Sequence, residues 1–228
     1  ESVMSKVWNN KIFKHIQTNV DLSSKKLAEE RGSCPDAEEY GFKERFSNKT
    51  AIAPTASISI ICGGASPGIE PVAANSYTHK TLSGSYNVRN RYLKKILEKH
   101  GKDNAETWSS ITTNQGSVVH LDFLTDHEKE VFKTAFELDQ KWIVELGADR
   151  TSYISQAQSI NIFLPADVHK KELHQIHFQA WKKGLKSLYY CRSKSIQRAE
   201  NVNNGLSTAV LKNEEKEENN YEECLSCQ

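Results

Sequence analysis

The chain has 228 residues, 37% of them hydrophobic and 9% aromatic, enough for one large or two small globular domains with a sizeable core. Thirty Lys and Arg face 29 Asp and Glu for a formal charge of +1, and no long basic run stands clear of acids, so no nucleic-acid track is expected. No apolar run approaches the roughly 18 to 20 residues of a membrane helix, no signal-peptide core opens the chain, and five cysteines with one close pair make no secreted disulfide framework. A cytoplasmic protein with reduced or redox-active thiols and no membrane partner is therefore expected.

In chain order, residues 7–31 carry Ile12, Phe13, Ile16, Val20 and Leu27 at near-helical spacing, and Gly32 and Pro35 end the pattern, which predicts an amphipathic helix. Residues 51–61 are small and β-branched and predict a buried strand, followed by a tight loop at Gly63-Gly64 and Pro67-Gly68 and a short element. A second helix is predicted over residues 126–146, with Val131, Phe132, Ala135, Phe136, Leu138, Trp142 and Ile143 on its apolar face. Residues 159–164 read as a strand, 168–183 as a helix ended by Gly184, and 185–191 as another strand. Strand, helix, strand makes an α/β crossover. From about Arg198 to Glu223 the composition turns to Asn, Glu, Lys and Ser, with too few apolar groups to offset ordering, which predicts a flexible tail. The chain thus divides into a body, 1–197, and a tail, 198–228.

Three places carry possible chemistry. Thr55, Ala56 and Ser57 are small, two are hydroxylated, and N–H groups at the start of a following helical turn would face an anion; equally, Thr55 and Ser57 could simply cap a helix. No Walker motif or G-x-G-x-x-G lies nearby. Tyr189 and Tyr190 adjoin in a predicted strand, where core packing is the ordinary role. Cys224 and Cys227 form a CxxC one residue from the end. Zinc would want a second ligand pair, which the tail lacks, and a thioredoxin-type pair would open a helix, so a mobile dithiol fits better. Across the 26 residues between Gln197 and Cys224 a flexible coil spans roughly 25 to 30 Å. Glu222 and Glu223 disfavour the attacking thiolate, so attack would favour a positive pocket. His174 and His177, an i, i+3 pair, lie among charged neighbours and are read as solvated, with no metal site expected. Cys34, Cys62 and Cys191 are read as packed thiols, and Trp142 and Trp181 as core.

Three segments in one order resemble the large, catalytic subunit of class I ribonucleotide reductase. They are Ala53-Pro54-Thr55-Ala56-Ser57-Ile58-Ser59 with Gly63-Gly64 and Gly68-Ile69-Glu70-Pro71; Gln156-Ala157-Gln158-Ser159-Ile160-Asn161 leading through Trp181 and Gly184 to Lys186-Ser187-Leu188-Tyr189-Tyr190; and Cys224-Leu225-Ser226-Cys227. Similarity runs through most of residues 27–195. The resemblance implies an α/β fold, the C-terminal part of a barrel built from two half-barrels, followed by the tail. It implies that Pro54, Thr55, Ala56, Ser57 and Ile58 form the substrate-phosphate loop, Ile58 offering only its backbone N–H. It implies that Tyr189 and Tyr190 relay a radical by proton-coupled electron steps, which requires adjacent rings and hence a strand end or a departure from regular twist. Cys224 and Cys227 would carry electrons from thioredoxin or glutaredoxin to a disulfide formed in the active site at each turnover.

By the same resemblance, the chain itself binds no cofactor. A dinuclear metal and radical cofactor is expected in a separate small subunit, and nucleotide effectors on an upstream part of the large subunit. That upstream part would also hold the radical cysteine, its Asn and Glu, and two reducing cysteines, none of which any segment here matches. The chain is therefore expected to be an incomplete catalyst: a truncated chain, a partial gene product or half of a split large subunit, acting on ribonucleoside diphosphates. Two other readings remain: part of a cobalamin-dependent reductase, which needs no tyrosine relay, and a non-catalytic module that binds phosphorylated ligands.

Overall fold

The computed structural model describes residues 1–63, 65–81 and 84–193. It forms two compact units. One comprises Glu1–Pro54, Gly68–Ala73 and Lys133–Ser193; the other comprises, among described residues, Thr55–Pro67 and Ala74–Phe132. The expected boundary at 197/198 and the tail, including Cys224 and Cys227, lie outside the described residues.

The first unit opens on helix α1, Val3–Arg31, whose start is a capping box between Ser2 and Ser5 and whose 29 residues hold no Gly or Pro. Ile12 and Ile16, expected on its buried face, are exposed, whereas Ser24 and Ala28 are buried. The helix is held by polar contacts along one side. Lys6 pairs with Glu145 at 3.3 Å and Asp149 at 3.5 Å, Asn9 Nδ2 donates to the Leu146 carbonyl at 2.9 Å, and Ser24 Oγ accepts from the N–H groups of Arg45 and Phe46. Phe13, Val20 and Leu27 are partly buried, so the apolar spacing found part of the packing side, and small Ser24 and Ala28 complete it by letting the neighbouring backbone approach. A short helix α2, Pro35–Glu39, follows with Pro at its first position.

The strand expected over 51–61 is instead a bridge and a helix. Ile52 alone pairs, in parallel, with Gln158, and α3, Ala56–Ile61, follows in the second unit with Ile58, Ile60 and Ile61 exposed. β-branched content suits a strand only where a partner strand is available. The second unit continues with an antiparallel hairpin, β1 Ser76–Thr81 and β2 Gly84–Arg89, then α4, Arg91–Lys99, and α5, Ala105–Thr113, capped by Asn90 and Asn104. Leu93, Leu97, Trp108, Ile111, Val118 and Phe132 form its core.

The helix expected over 126–146 is two helices, α6, Asp126–Val131, in the second unit and α7, Gln140–Thr151, in the first. Side chains serve the backbone in between: Glu137 Oε2 accepts from Thr134 N at 2.7 Å, and Gln140 Nε2 donates to the carbonyls of Ala135 and Leu138. With those groups satisfied, a helix break inside an apolar stretch costs little. β3, Ile162–Leu164, helix α8, Lys170–Lys182, and β4, Cys191–Ser193, form a parallel crossover. The strand expected over 185–191 thus begins later, at Cys191. Its core is Val144, Ile160, Ile162, Leu164, Ile176 and Ala180; Trp181, expected there, is 73% exposed, because α8 buries only a narrow stripe. Cys62 and Cys191 are exposed rather than packed. Among the described residues no helix is long and apolar enough to cross a membrane.

Asn75, fully buried, ties the second unit together. Its Nδ2 donates to the carbonyls of Gly116 (3.0 Å) and Phe132 (2.7 Å), and its Oδ1 accepts from Asn90 Nδ2 (2.8 Å). Gly116 has φ +82, and a Cβ there would lie 2.4 Å from that of Ala74, so only glycine fits. Asn75→Ala should cost about 2 to 3 kcal/mol of stability by orphaning these groups, read as a lower urea midpoint; a loss below about 0.5 kcal/mol would show that the bonds are replaced.

Candidate functional site

The segment expected to bind substrate phosphate begins at Pro54, which closes the first unit's leading stretch, and continues as Thr55, Ala56, Ser57 and Ile58 in the second. Thr55 precedes α3 in the left-handed region, φ 50 and ψ 34, and its side chain makes no capping bond to the helix. Such a backbone is strained for a β-branched residue, and strain of this kind gathers at functional sites. The helix-cap alternative for Thr55 is therefore not what the structure shows. The first intrahelical bond runs from Ser59 N to the Thr55 carbonyl at 2.9 Å, so the N–H groups of Ala56, Ser57 and Ile58 precede it and face outward along the axis. The hydroxyl of Ser59 turns back to the Ala56 carbonyl at 2.9 Å and is buried. In the first unit Gly68 (φ +54) lies against the backbone of Ala53 and Pro54: a Cβ there would sit 3.1 Å from the Ala53 carbonyl oxygen. The Gly68-Ile69-Glu70-Pro71 turn and the stretch leading into the phosphate segment thus pack backbone to backbone.

The tyrosine pair is built on three parallel stretches of the first unit. Gln156 N bonds the Thr50 carbonyl, Ile52 N that of Ala157, and Ser159 N that of Ile52. Further along, Tyr189 N bonds the Ile160 carbonyl at 2.8 Å and Ile162 N that of Tyr190 at 2.9 Å. Between these two bonds, Tyr190 N donates not to a backbone carbonyl but to Asn161 Oδ1 at 2.9 Å. This side-chain substitution falls just before β4 begins, and there the two rings converge, centroids 4.1 Å apart at 52°. Both rings are part exposed, at 40% and 44%, so the pair is not core packing. Lys186, three residues earlier, donates from Nζ to the carbonyls of Ile154, Ser155 and Gln156 at 3.3, 2.6 and 3.2 Å, which anchors the chain entering the pair.

Sequence reasoning quoted Glu70 and Asn161 only as parts of motifs and passed over Arg192. Burial raises the pKa of half-buried Glu70, and the positive charge of Arg192 and the neighbourhood of Asn161 act against that rise. The Arg192 guanidinium faces the Tyr190 ring, 5.7 Å from its centroid. An acidic residue framed by Ile69 and Pro71 was the available signal. Among the described residues no group of three or more His, Cys, Asp or Glu could hold a metal ion; His174 stacks on Phe178 and His177 Nδ1 meets the Leu173 carbonyl.

Thr55→Gly should relieve the left-handed strain and raise stability by about 1 kcal/mol. A destabilisation measured by urea unfolding would show that the Thr55 side chain holds the turn.

Residues 36–191 match the family model of the ribonucleotide reductase barrel domain. The chain is 48% identical over 85% of its length to a ribonucleoside-diphosphate reductase large subunit of Invertebrate iridescent virus 6, and 44% over 94% to that of Invertebrate iridescent virus 3. Its fold matches the alpha subunit of an Actinobacillus ureae class Id ribonucleotide reductase over 87% of the chain, with TM-score 0.78 and 38% identity. The chain spans 20%, 34% and 36% of those three proteins. The ordered motifs, the paired tyrosines and these matches lead to one assignment: the chain belongs to the ribonucleotide reductase large-subunit family, within its α/β barrel domain.

Proposed function

We propose that this chain serves as the barrel portion of a class I ribonucleoside-diphosphate reductase large subunit that carries the substrate-phosphate loop and the radical relay. The observation that carries this reading is the convergence of the Tyr189 and Tyr190 rings to 4.1 Å at a strand entrance in a chain of this family. Neither alternative gains support: the relatives matched are named diphosphate reductases, a cobalamin-dependent enzyme has no need of the ring pair, and a binding module has no use for it.

In this reading Pro54, Thr55, Ala56, Ser57 and Ile58 hold the substrate diphosphate by outward N–H groups and two hydroxyls, without a lysine. The relay passes one electron and one proton at a time: the phenol of one tyrosine gives both to the phenoxyl radical of the other, so an O–H bond forms on one ring as it breaks on its neighbour. A separate small subunit would hold the dinuclear metal cofactor that supplies the radical. The remaining length of the large subunit supplies the radical cysteine, the reducing pair and the effector sites. Cys224 and Cys227, in the tail outside the described residues, re-reduce the active-site disulfide as a tethered dithiol at millimolar effective concentration and are recharged by thioredoxin or glutaredoxin. The compartment is the reducing cytoplasm.

Ser57→Asp should weaken substrate diphosphate binding at least tenfold in the complete reductase, through like-charge repulsion, while a radical still reaches the tyrosines. Unchanged substrate affinity would leave α3 with a structural role only. The relay and the tail separate kinetically. In single-turnover experiments on pre-reduced complete enzyme, Tyr189→Phe and Tyr190→Phe should abolish the first burst of product, whereas Cys224→Ser and Cys227→Ser should keep it and stop later turnovers. A burst that survives the tyrosine changes would refute the relay.

A further inference from the structure

Ile162 pairs with Cys191 in the parallel register of β3 and β4, and Ile162 N accordingly bonds the Tyr190 carbonyl at 2.9 Å. In a parallel ladder the pattern repeats every second residue, so the Ile160 carbonyl would receive Tyr190 N. It receives Tyr189 N instead, at 2.8 Å. The stretch entering β4 therefore holds one residue more than its partner, which is a β-bulge, a device that bends a strand and re-aims its side chains. The doubled position is the tyrosine pair, whose rings approach to 4.1 Å between centroids. The slack cannot run out along the chain. On one side Lys186 Nζ is bonded to the carbonyls of Ile154, Ser155 and Gln156, and on the other stands the bond between Ile162 and Tyr190. The bulge also displaces Tyr190 N from the ladder, and a backbone donor without a partner is costly wherever water is excluded. Asn161, 4% exposed, supplies the partner: its Oδ1 accepts from Tyr190 N at 2.9 Å.

We propose that Asn161 is a positioning residue for the radical relay: by accepting the N–H that the bulge displaces, it holds the Tyr189 and Tyr190 rings side by side. The proposal rests on the relay reading above. Without that acceptor the regular ladder competes. Tyr190 N can return to the Ile160 carbonyl, which expels the extra residue and sends the two side chains back to opposite faces. The amide oxygen of Asn161 removes the incentive to return, since Tyr190 N is already satisfied where it stands. The step so served is the same balanced one as before: the phenol of one tyrosine loses one electron and one proton to the phenoxyl radical of the other. Asn161 takes no part in the bond changes.

The test uses the complete large subunit with its small subunit, pre-reduced, in single-turnover mode. Asn161→Leu keeps the side chain's size and removes the acceptor. It should leave substrate KM unchanged and slow the burst about a hundredfold, the loss that a misplacement of about 1 Å can cause. Asn161→Asp keeps an acceptor oxygen in the same place, ionised or protonated, and should stay within about fivefold of the parent. Near-UV circular dichroism reads the ring pair without turnover. The tyrosine signal that Tyr190→Phe removes from the parent should already be lost in Asn161→Leu and be retained in Asn161→Asp. Should Asn161→Leu fail to fold, Asn161→Ala, which cannot overfill the site, is read in its place, with a burst about tenfold slower expected. Three results overturn the proposal: a parental burst in the variant that lacks the acceptor, a burst in Asn161→Asp as slow as in that variant, or an unchanged tyrosine signal where the acceptor is gone. Tyr190→Phe separates the two levels of failure. If it loses the burst while Asn161→Leu does not, the proposal falls and the relay stands; if it keeps the burst, both fall.

Discussion

Adjacent residues on a regular strand turn their side chains to opposite faces, so the Tyr189 and Tyr190 rings can meet only where the ladder is interrupted. The interruption is one hydrogen bond wide: Asn161 Oδ1 takes the Tyr190 N–H that a backbone carbonyl would otherwise receive, between the regular bonds at Ile160 and Ile162. Much of the first unit makes that substitution possible. The 156–164 stretch bonds residues 50–52 along its first half and residues 189–193 along its second. It is pinned from below by Val144, Ile176 and the other residues of its core, and Gln158 Oε1 binds buried Arg150 at 2.7 Å. A central stretch fastened on both sides cannot slide, so the position of Asn161 opposite Tyr190 is set.

The polar residues around the site share a second property, in that several sit at a cost to folding. Thr55 holds a left-handed backbone, Glu70 keeps a carboxyl where burial opposes its charge, and buried Arg150 has its pKa lowered to about 10 by desolvation. Costs of this kind persist only where surrounding structure over-determines them. For Arg150 that surrounding structure is Gln158 with its bonds to Gly147 and Thr151. Arg150 and Gln158 serve architecture, whereas Thr55 opens the segment proposed to hold the substrate diphosphate.

The motifs were legible because they are local and made of unusual neighbours: a Pro-Thr-Ala-Ser run, paired tyrosines, a terminal CxxC. The crossover was also legible from apolar β3 and from α8 with Gly184 after it, whereas β4, Cys191-Arg192-Ser193, carries no apolar pattern and was placed too early. The hairpin of β1 and β2 went unread, because β2 is almost wholly exposed and leaves no alternation to detect.

By itself the sequence determined family, fold class and the identity of the candidate residues, since each depends on residue type and order along the chain. Tertiary structure alone decided what surrounds them. That 51–61 holds a single bridge and a helix, and that Trp181 faces outward, follow from which partners arrive from far along the chain. The joining of Asn161 and Tyr190 has the same origin: residues 29 positions apart meet only because parallel pairing and a crossover helix bring them together, and no local pattern encodes a contact made at that separation.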